Sequence, residues 1–345
     1  MNLGLTLPCA PEQVDAFLAR PTQGAIETLR RFPGDVVVIG AGGKMGPTLC
    51  LMAAAILREI GLPHRVKAVS RFSNAETRQL LESAGVETIG CDLLDRNAVG
   101  GLPDAPNVLF LAGQKFGTTD SPELTWAMNT LVPSYVAERY AGSRIVVFST
   151  GCVYSFASVS GGGSREGDPT QPVGDYANSC LGRERIFSFY SKKNKTPVAL
   201  YRLNYAIDFR YGVLVDVATK VAAGQVVDVT TGHVNVIWQG DACARALQCL
   251  EIAGVPAVPI NITGPETVSI RSMAARFGHL LGTAPKISGV ELDHVWLNNA
   301  SWSFALFGYP SVSLDQMVDW GASWIQSGGA TLDKPTHFEV PDGRF

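Results

Sequence analysis

The chain has 345 residues, 46% of them hydrophobic and 17% charged, with a formal net charge of −3. That length and apolarity exclude a disordered chain and suffice for one large core, or for one large domain with a smaller partner. The nearly balanced charge leaves no electrostatic footprint for nucleic acid or an anionic membrane surface.

Residues 11–31 read as a helical lead-in interrupted by Pro21. After Pro33-Gly34, the run Asp35 to Ile39 is β-branched at every position after its aspartate, as expected of a strand covered on both faces. A glycine-rich turn follows, then a helix from Pro47 to Ile60, a strand over Arg65–Ser70 and a helix over Asn74–Ala84. Further strands are predicted over Val86–Gly90 and Asn107–Ala112, a helix over Pro122–Tyr140, and a strand over Arg144–Ser149. The segment Ser158–Gly174, rich in glycine, serine and proline, reads as a mobile loop. A helix resumes at Tyr176 and a strand spans Pro197–Leu203. Strands and helices alternating in this way imply a doubly wound parallel sheet of the Rossmann type, an α/β fold. Residues from Arg210 to Ser327 mix short helices with loops. The polar tail from Thr331 carries Phe338 and Phe345 and is expected to pack across the surface.

The seven cysteines are scattered, odd in number and lack any C-x-x-C pair. This argues against a disulfide framework and against a structural zinc site. The five histidines have no metal-ligand spacing, so no metal is expected. Met1–Ala10 has neither a basic region nor an apolar stretch of signal length, and the longest apolar run, Leu49–Leu57, is too short to span a bilayer. A cytoplasmic protein with no membrane and no nucleic-acid partner is expected.

The turn Gly40-Ala41-Gly42-Gly43-Lys44-Met45-Gly46 joins a strand directly to a helix. Glycines there allow a tight turn and let a pyrophosphate approach the backbone, while the helix N-terminus offers free N–H groups. A dinucleotide site for NAD usually presents an acidic residue at the end of the second strand. Here Ser70-Arg71 stands in that place, and an arginine suits a 2′-phosphate, so NADP is favoured over NAD.

These features resemble the extended short-chain dehydrogenase/reductase superfamily, and within it the NAD(P)-dependent epimerase/dehydratase members, over about residues 35 to 325. The glycine turn is similar to their G-x-x-G-x-x-G. Cys91-Asp92-Leu93-Leu94-Asp95 resembles their G-D-L-x-D stretch, whose first aspartate meets adenine. Leu111-Ala112-Gly113-Gln114-Lys115 resembles the segment lining the cofactor after the fourth strand, and Asn129 stands at their helix asparagine. Val147 to Tyr154 resembles the strand that ends in the catalytic serine or threonine, here Thr150. Tyr201-Arg202-Leu203-Asn204, Pro259–Gly264 with Val268–Ile270, and Phe307–Pro310 complete the series. The resemblance implies an NAD(P)-binding domain over residues 33–209 behind a helical extension at 1–32. It also implies a smaller, mainly substrate-binding subdomain over 210–330, with some segments returning to the core, and a tail at 331–345. Gly151, Cys152 and Asn204 would face the substrate, and the helices Pro122–Tyr140 and Tyr176–Tyr190 would pair in a homodimer.

In that family a tyrosine exchanges a proton with the substrate while hydride moves, and a lysine one helical turn later lowers its pKa. Tyr176 fits the register Y-x-x-x-K, but position 180 is cysteine. A phenol near its reference pKa of about 10 is only about 0.1% ionised at pH 7, so losing the cation impairs Tyr176 as a base more than as an acid. Lys115, Lys44 and Arg183 are the candidates to replace it, with a solvated loop lysine as the plain alternative for Lys115. Cys180 leaves three readings: hydride transfer with altered acid–base groups, another reaction using bound cofactor, or a sensor or scaffold that binds dinucleotide without turnover. In sugar-nucleotide epimerases an arginine stands where this chain has Val234. That argues against a nucleotide-sugar substrate and for a small carbohydrate or sugar acid, unless Arg210 or Arg271 supplies the phosphate clamp.

Overall fold

The computed structural model describes residues 6–115, 117–332, 334 and 336–340. Seven parallel strands form the central sheet: β1 (Val36–Ile39), β2 (Val66–Ser70), β3 (Glu87–Gly90), β4 (Asn107–Phe110), β5 (Arg144–Thr150), β6 (Val198–Leu203) and β7 (Val258–Ile262). Their spatial order is β3-β2-β1-β4-β5-β6-β7. Val36 of β1 lies opposite both Val66 and Asn107, so the chain reverses its direction of travel across the sheet between β1 and β4. In such sheets the crevice at that switch, beyond the carboxyl ends of the strands, receives ligands.

Alternation along the strands buries both faces of the sheet, which form the two layers of the first core. Val36 and Val38 pack with α2 (Gln23–Arg31), α3 (Gly46–Glu59) and a later helix over Gln239–Gln248. Val37 and Ile39 face the other way, against a short helix over Arg96–Gly100, one over Val132–Arg139, and the long helix Gly174–Asn194. Every residue of β1 and β4 is buried, which is why those strands read as unbroken apolar runs.

The lead-in divides at Pro21 as expected, into α1 (Pro11–Leu18) and α2. Helix α3 is followed by α4 (Ala75–Ser83) and α5 (Arg96–Gly100). The expected helix Pro122–Tyr140 is three pieces: α6 (Pro122–Trp126), a π-turn at Ala127–Leu131, and α7 (Val132–Arg139). Pro133, which has no N–H to return to the carbonyl of Asn129, lies just beyond the wide turn. The long helix Gly174–Asn194 is α8. Helices α9 (Val213–Ala222), α10 (Gln239–Gln248), α11 (Ile270–Leu281), α12 (Ser301–Phe307) and α13 (Leu314–Gln326) complete the chain. Of these, α9, α11 and α13 enclose a separate core with α1, in which Phe209 and Trp238 meet edge to face at 5.1 Å.

The stretch 210–330 therefore does two jobs, since α10 and β7 return to the sheet. The segment expected to be a mobile loop is fastened: Asn261 donates its backbone N–H to Glu166 at 2.9 Å and its side-chain amide to the Ser164 carbonyl at 2.9 Å. Ser164 in turn donates to the Leu297 carbonyl at 2.8 Å. Of the two tail aromatics, Phe338 is buried in the second core, and Phe345 lies outside the described residues. No helix among the described residues is long and apolar enough to cross a membrane.

Candidate functional site

The glycine turn leaves β1 and enters α3 at the switch point. Gly40 has φ +86°, and a Cβ there would lie 2.6 Å from the Ala112 nitrogen. A Cβ on Gly46 would lie 2.2 Å from the Ala41 carbonyl oxygen, so the helix sits directly against the turn. Gly43 differs, because its Cβ would meet only the Gly40 oxygen at 3.4 Å and otherwise point into open space. One glycine closes the turn, one allows helix packing, and one leaves the backbone bare for a ligand. Pro47 in the first turn of α3 lacks an N–H that would have had no helical partner. The N–H groups of Gly43 and Gly46 bond to the Gly40 and Gly43 carbonyls, each at 3.1 Å, so what the turn offers a pyrophosphate is close approach of bare backbone beside the N-terminus of α3.

Two cavities meet at this turn, sharing Gly40, Gly43, Leu111 and Gly113. The first, of about 260 Å³, runs from the turn past the end of β2, where Ser70 and Arg71 stand, to Asp92 and Leu93 after β3; Ala112 forms its floor. Phe72, Ser73 and Thr77 also line it, although no sequence pattern singled them out. Asp92 is engaged locally, its carboxylate accepting from the Leu94 N–H at 3.1 Å.

The second cavity, of about 340 Å³, lies between the turn and the smaller subdomain. Lys44, Met45 and Gly46 enter it from the turn, Lys115 from the loop after β4, Thr150 and Cys152 from the end of β5, Tyr176 from α8, and Asn204 from the end of β6. The Thr150 hydroxyl accepts from the Cys152 N–H at 3.2 Å. Cys180 lies beneath, fully buried, in hydrogen-bonding contact with the Tyr176 hydroxyl. Burial pushes the Tyr176 phenol well above its ordinary range, and the neighbouring thiols of Cys180 and Cys152 push it further. Burial likewise raises both thiols. Arg183 opposes this rise at Tyr176.

Arg183 and Asn129 lie behind the cavity wall. Arg183 donates to the Phe148 carbonyl at 2.7 Å and to the Asn129 side chain, while its Nε is buried without a hydrogen-bond partner. Asn129, carried on the π-turn, accepts from the Gln114 N–H at 3.1 Å and donates to Ser179 at 2.9 Å. It thereby ties α8 to the segment after β4. Glu184, one position beyond Arg183, is structural: it forms a buried ion pair with Arg202 of β6 at 2.7 Å and accepts from Ser149 at 2.6 Å.

The two lysines differ in what they face. Lys44 turns away from the first cavity, donating to the Ala206 carbonyl at 3.0 Å and standing 4.1 Å from the centre of the Tyr211 ring. Asp208 lies behind it at 3.9 Å. Burial lowers the Lys44 pKa to about 8 against the opposing pull of Asp208. Lys115 donates to the Thr336 carbonyl at 3.4 Å, and burial lowers its pKa also.

Gly151 is buried behind the cavity, where its Cβ would lie 2.2 Å from the amide oxygen of Asn298. Asn298 is itself buried with both side-chain polar atoms unpartnered, and the Asn204 side-chain nitrogen shares that condition. Asn298, Tyr205, Tyr211 and Thr336 went unsignalled in the sequence, being supplied by loops and by a tail without periodicity. Val234 is fully buried in the second core. Arg210 pairs with Asp15 at 2.8 Å and Arg271 with Glu291 at 2.6 Å, so both arginines that might have clamped a phosphate are engaged elsewhere. Among the described residues no group of three or more metal-ligating side chains converges.

The sequence model of the NAD dependent epimerase/dehydratase family matches residues 36–230. Among solved structures, UDP-glucose 4-epimerase of Thermus thermophilus, in complex with NAD, superposes with a TM-score of 0.68 at 19% identity, over 85% of this chain and 99% of that one. UDP-glucuronic acid 4-epimerase of Bacillus cereus, also with NAD, gives 0.69 at 19% identity over 85% and 98%. The dTDP-glucose 4,6-dehydratase of Bacillus anthracis with NAD gives 0.70 at 16% identity over 85% and 96%. No curated protein sequence matches the chain.

Proposed function

The chain belongs to the NAD dependent epimerase/dehydratase family, and from that membership we propose that it is an oxidoreductase or epimerase/dehydratase acting on a small carbohydrate or sugar acid. The observation that carries the reading is the continuity of the two cavities: the bare backbone at Gly43 and the hydroxyls of Thr150 and Tyr176 border one crevice. A nicotinamide dinucleotide lying along it would supply hydride acceptance and return. Its pyrophosphate would rest on Gly40, Gly43 and Gly46, and its adenosine would lie between Arg71 and Asp92.

The protein's own contribution is the proton. Thr150 fixes the substrate oxygen, and Tyr176 exchanges a proton with it. With its pKa raised by burial, Tyr176 holds its proton at neutral pH and serves better as a donor than as a base. The reading therefore favours carbonyl reduction over alcohol oxidation as the faster direction. Arg183, behind the wall, takes the part of the missing lysine by opposing the rise at Tyr176.

A nucleotide sugar is disfavoured, because buried Val234 offers no contact to a diphosphate and Arg210 and Arg271 are already paired. NADP is favoured over NAD, because the wall after β2 is Ser70-Arg71-Phe72-Ser73 and contains no carboxylate to repel a 2′-phosphate. Titration of the protein with each dinucleotide, followed by nicotinamide absorbance with a panel of ketoses, sugars and sugar acids, tests all three points. Dinucleotide binding with no absorbance change across the panel would support the rival reading, a sensor that binds without turnover, which the cysteine at position 180 favours.

The exposed Leu124, Leu131 and Phe189 on α6–α8 support a homodimer through that helix pair.

A further inference from the structure

The crevice beside Tyr176 is lined by two ammonium groups and, among the described residues, by no carboxylate. Lys44 is the more telling of the two. An ammonium has three donor protons; the Ala206 carbonyl takes one and the Tyr211 ring covers a second side. Asp208 is too far for a hydrogen bond at 3.9 Å, has no exposed side-chain surface, and is shared with Arg210 at 3.8 Å, which Asp15 also engages. The Lys44 side chain, in contrast, is 22% exposed. The carboxylates of this cluster therefore sit behind the wall, and the face presented to a ligand is cationic.

A second observation points the same way. The side-chain nitrogen of Asn204, in the wall of the same crevice, is buried with no hydrogen-bond partner although the residue is only 3% exposed. An unsatisfied buried donor is costly unless a ligand or water accepts from it. Two donor groups from different elements, one on the phosphate turn and one at the end of β6, thus border a space that contains Thr150 and Tyr176.

We infer that this crevice selects a substrate carrying an anionic group, a carboxylate or a phosphate on a small polyol, which Lys44 holds with help from Asn204 while Thr150 and Tyr176 meet the reacting oxygen. The inference rests on the proposed oxidoreductase reading and adds to it the charge of the substrate.

The test uses the full chain saturated with its dinucleotide, whose own affinity is titrated first. Six-carbon aldonic acids, uronic acids and hexose 6-phosphates are then titrated alongside their neutral parents. The expected result is that at least one acid binds about tenfold or more tightly than its parent, a difference of ~1.4 kcal/mol. The carboxylate and phosphate arms identify the group. Lys44→Met should collapse that preference to within about twofold while Lys44→Arg keeps it, as expected of a charge rather than a shape. Asn204→Asp, nearly isosteric, should reverse it in favour of the neutral parent, and remains decisive if Lys44→Met folds poorly. Equal binding of acids and parents, no binding of either, or a preference that survives Lys44→Met overturns the inference. Failure to bind any dinucleotide would instead sink the reading beneath it.

Discussion

Tyr176 and Lys44 are two half-buried titratable groups whose surroundings push them in opposite practical directions. Burial holds the phenol protonated, so Tyr176 is set to give a proton rather than take one. Replacing it by phenylalanine removes that donor and should lower the rate of hydride transfer by about 100- to 10,000-fold, read by single-turnover absorbance. Burial brings Lys44 down to about 8, opposed by Asp208 and more weakly by Cys243 and Asp216, and aided by Arg210. Its charge is present below that pH and fades above it. Affinity for a carboxylate substrate should therefore be constant from pH 6 to 7 and fall about tenfold per unit well above 8, whereas affinity for its neutral parent should not change. The slope should vanish in Lys44→Met. A fall that is equal for acid and parent would assign the titration to another group.

At the level of elements, the glycine turn separates folding from binding. Gly46→Ala forces a methyl group onto the Ala41 carbonyl at 2.2 Å and should cost about 1–3 kcal/mol or more in stability, as overpacking does. Gly43→Ala meets nothing closer than 3.4 Å. It should melt near the wild-type temperature yet bind dinucleotide at least about tenfold more weakly, because the methyl group takes the place of the pyrophosphate. The buried Glu184–Arg202 pair joins α8, which carries Tyr176, to β6, which leads directly into Asn204. Glu184→Gln leaves Arg202 without its counter-charge and should destabilise by about 3–5 kcal/mol in denaturant melts. The turn and β1 were legible in the sequence because they rest on glycine spacing and an unbroken apolar run, whereas the helix register of Tyr176 came from the family resemblance. Strand β7 was not legible. Pro259 and Asn261 interrupt its apolar run, and the sheet tolerates the proline because β7 lies at the edge, paired only with β6. The π-turn under Asn129 was equally hidden, since Pro122–Tyr140 has the same helical period whether or not one turn is widened. The loop before α8 looked mobile from its glycines and serines. Its anchors, Glu166 and Ser164, reach Asn261 about a hundred residues away, and no local pattern records such a bond.

Across the whole molecule, the crevice is bounded by parts that the chain brings together from far apart. The sheet contributes the cradle, the segment after β6 contributes Tyr205, Tyr211 and Gly212, and α1 braces that side through the Asp15–Arg210 pair. A ligand that spans both cavities should therefore stabilise both cores together. At about one hundred times its dissociation constant it should add ~2.7 kcal/mol to unfolding, with a single melting transition moving upward. The apolar side chains left exposed on α6–α8 predict that Leu131→Asp combined with Phe189→Asp shifts the mass in light scattering from dimer to monomer. A monomeric wild-type protein would remove that expectation. Thr336 also borders the crevice, and its main-chain N–H donates to Asp216 of α9 at 2.9 Å. Nearby, Phe338 is sunk in the second core and Glu339 is paired with Lys220 at 2.8 Å. That amide is thus a built-in gauge of occupancy: deuterium should replace its hydrogen more slowly when the crevice is filled, even by a compound that never reacts.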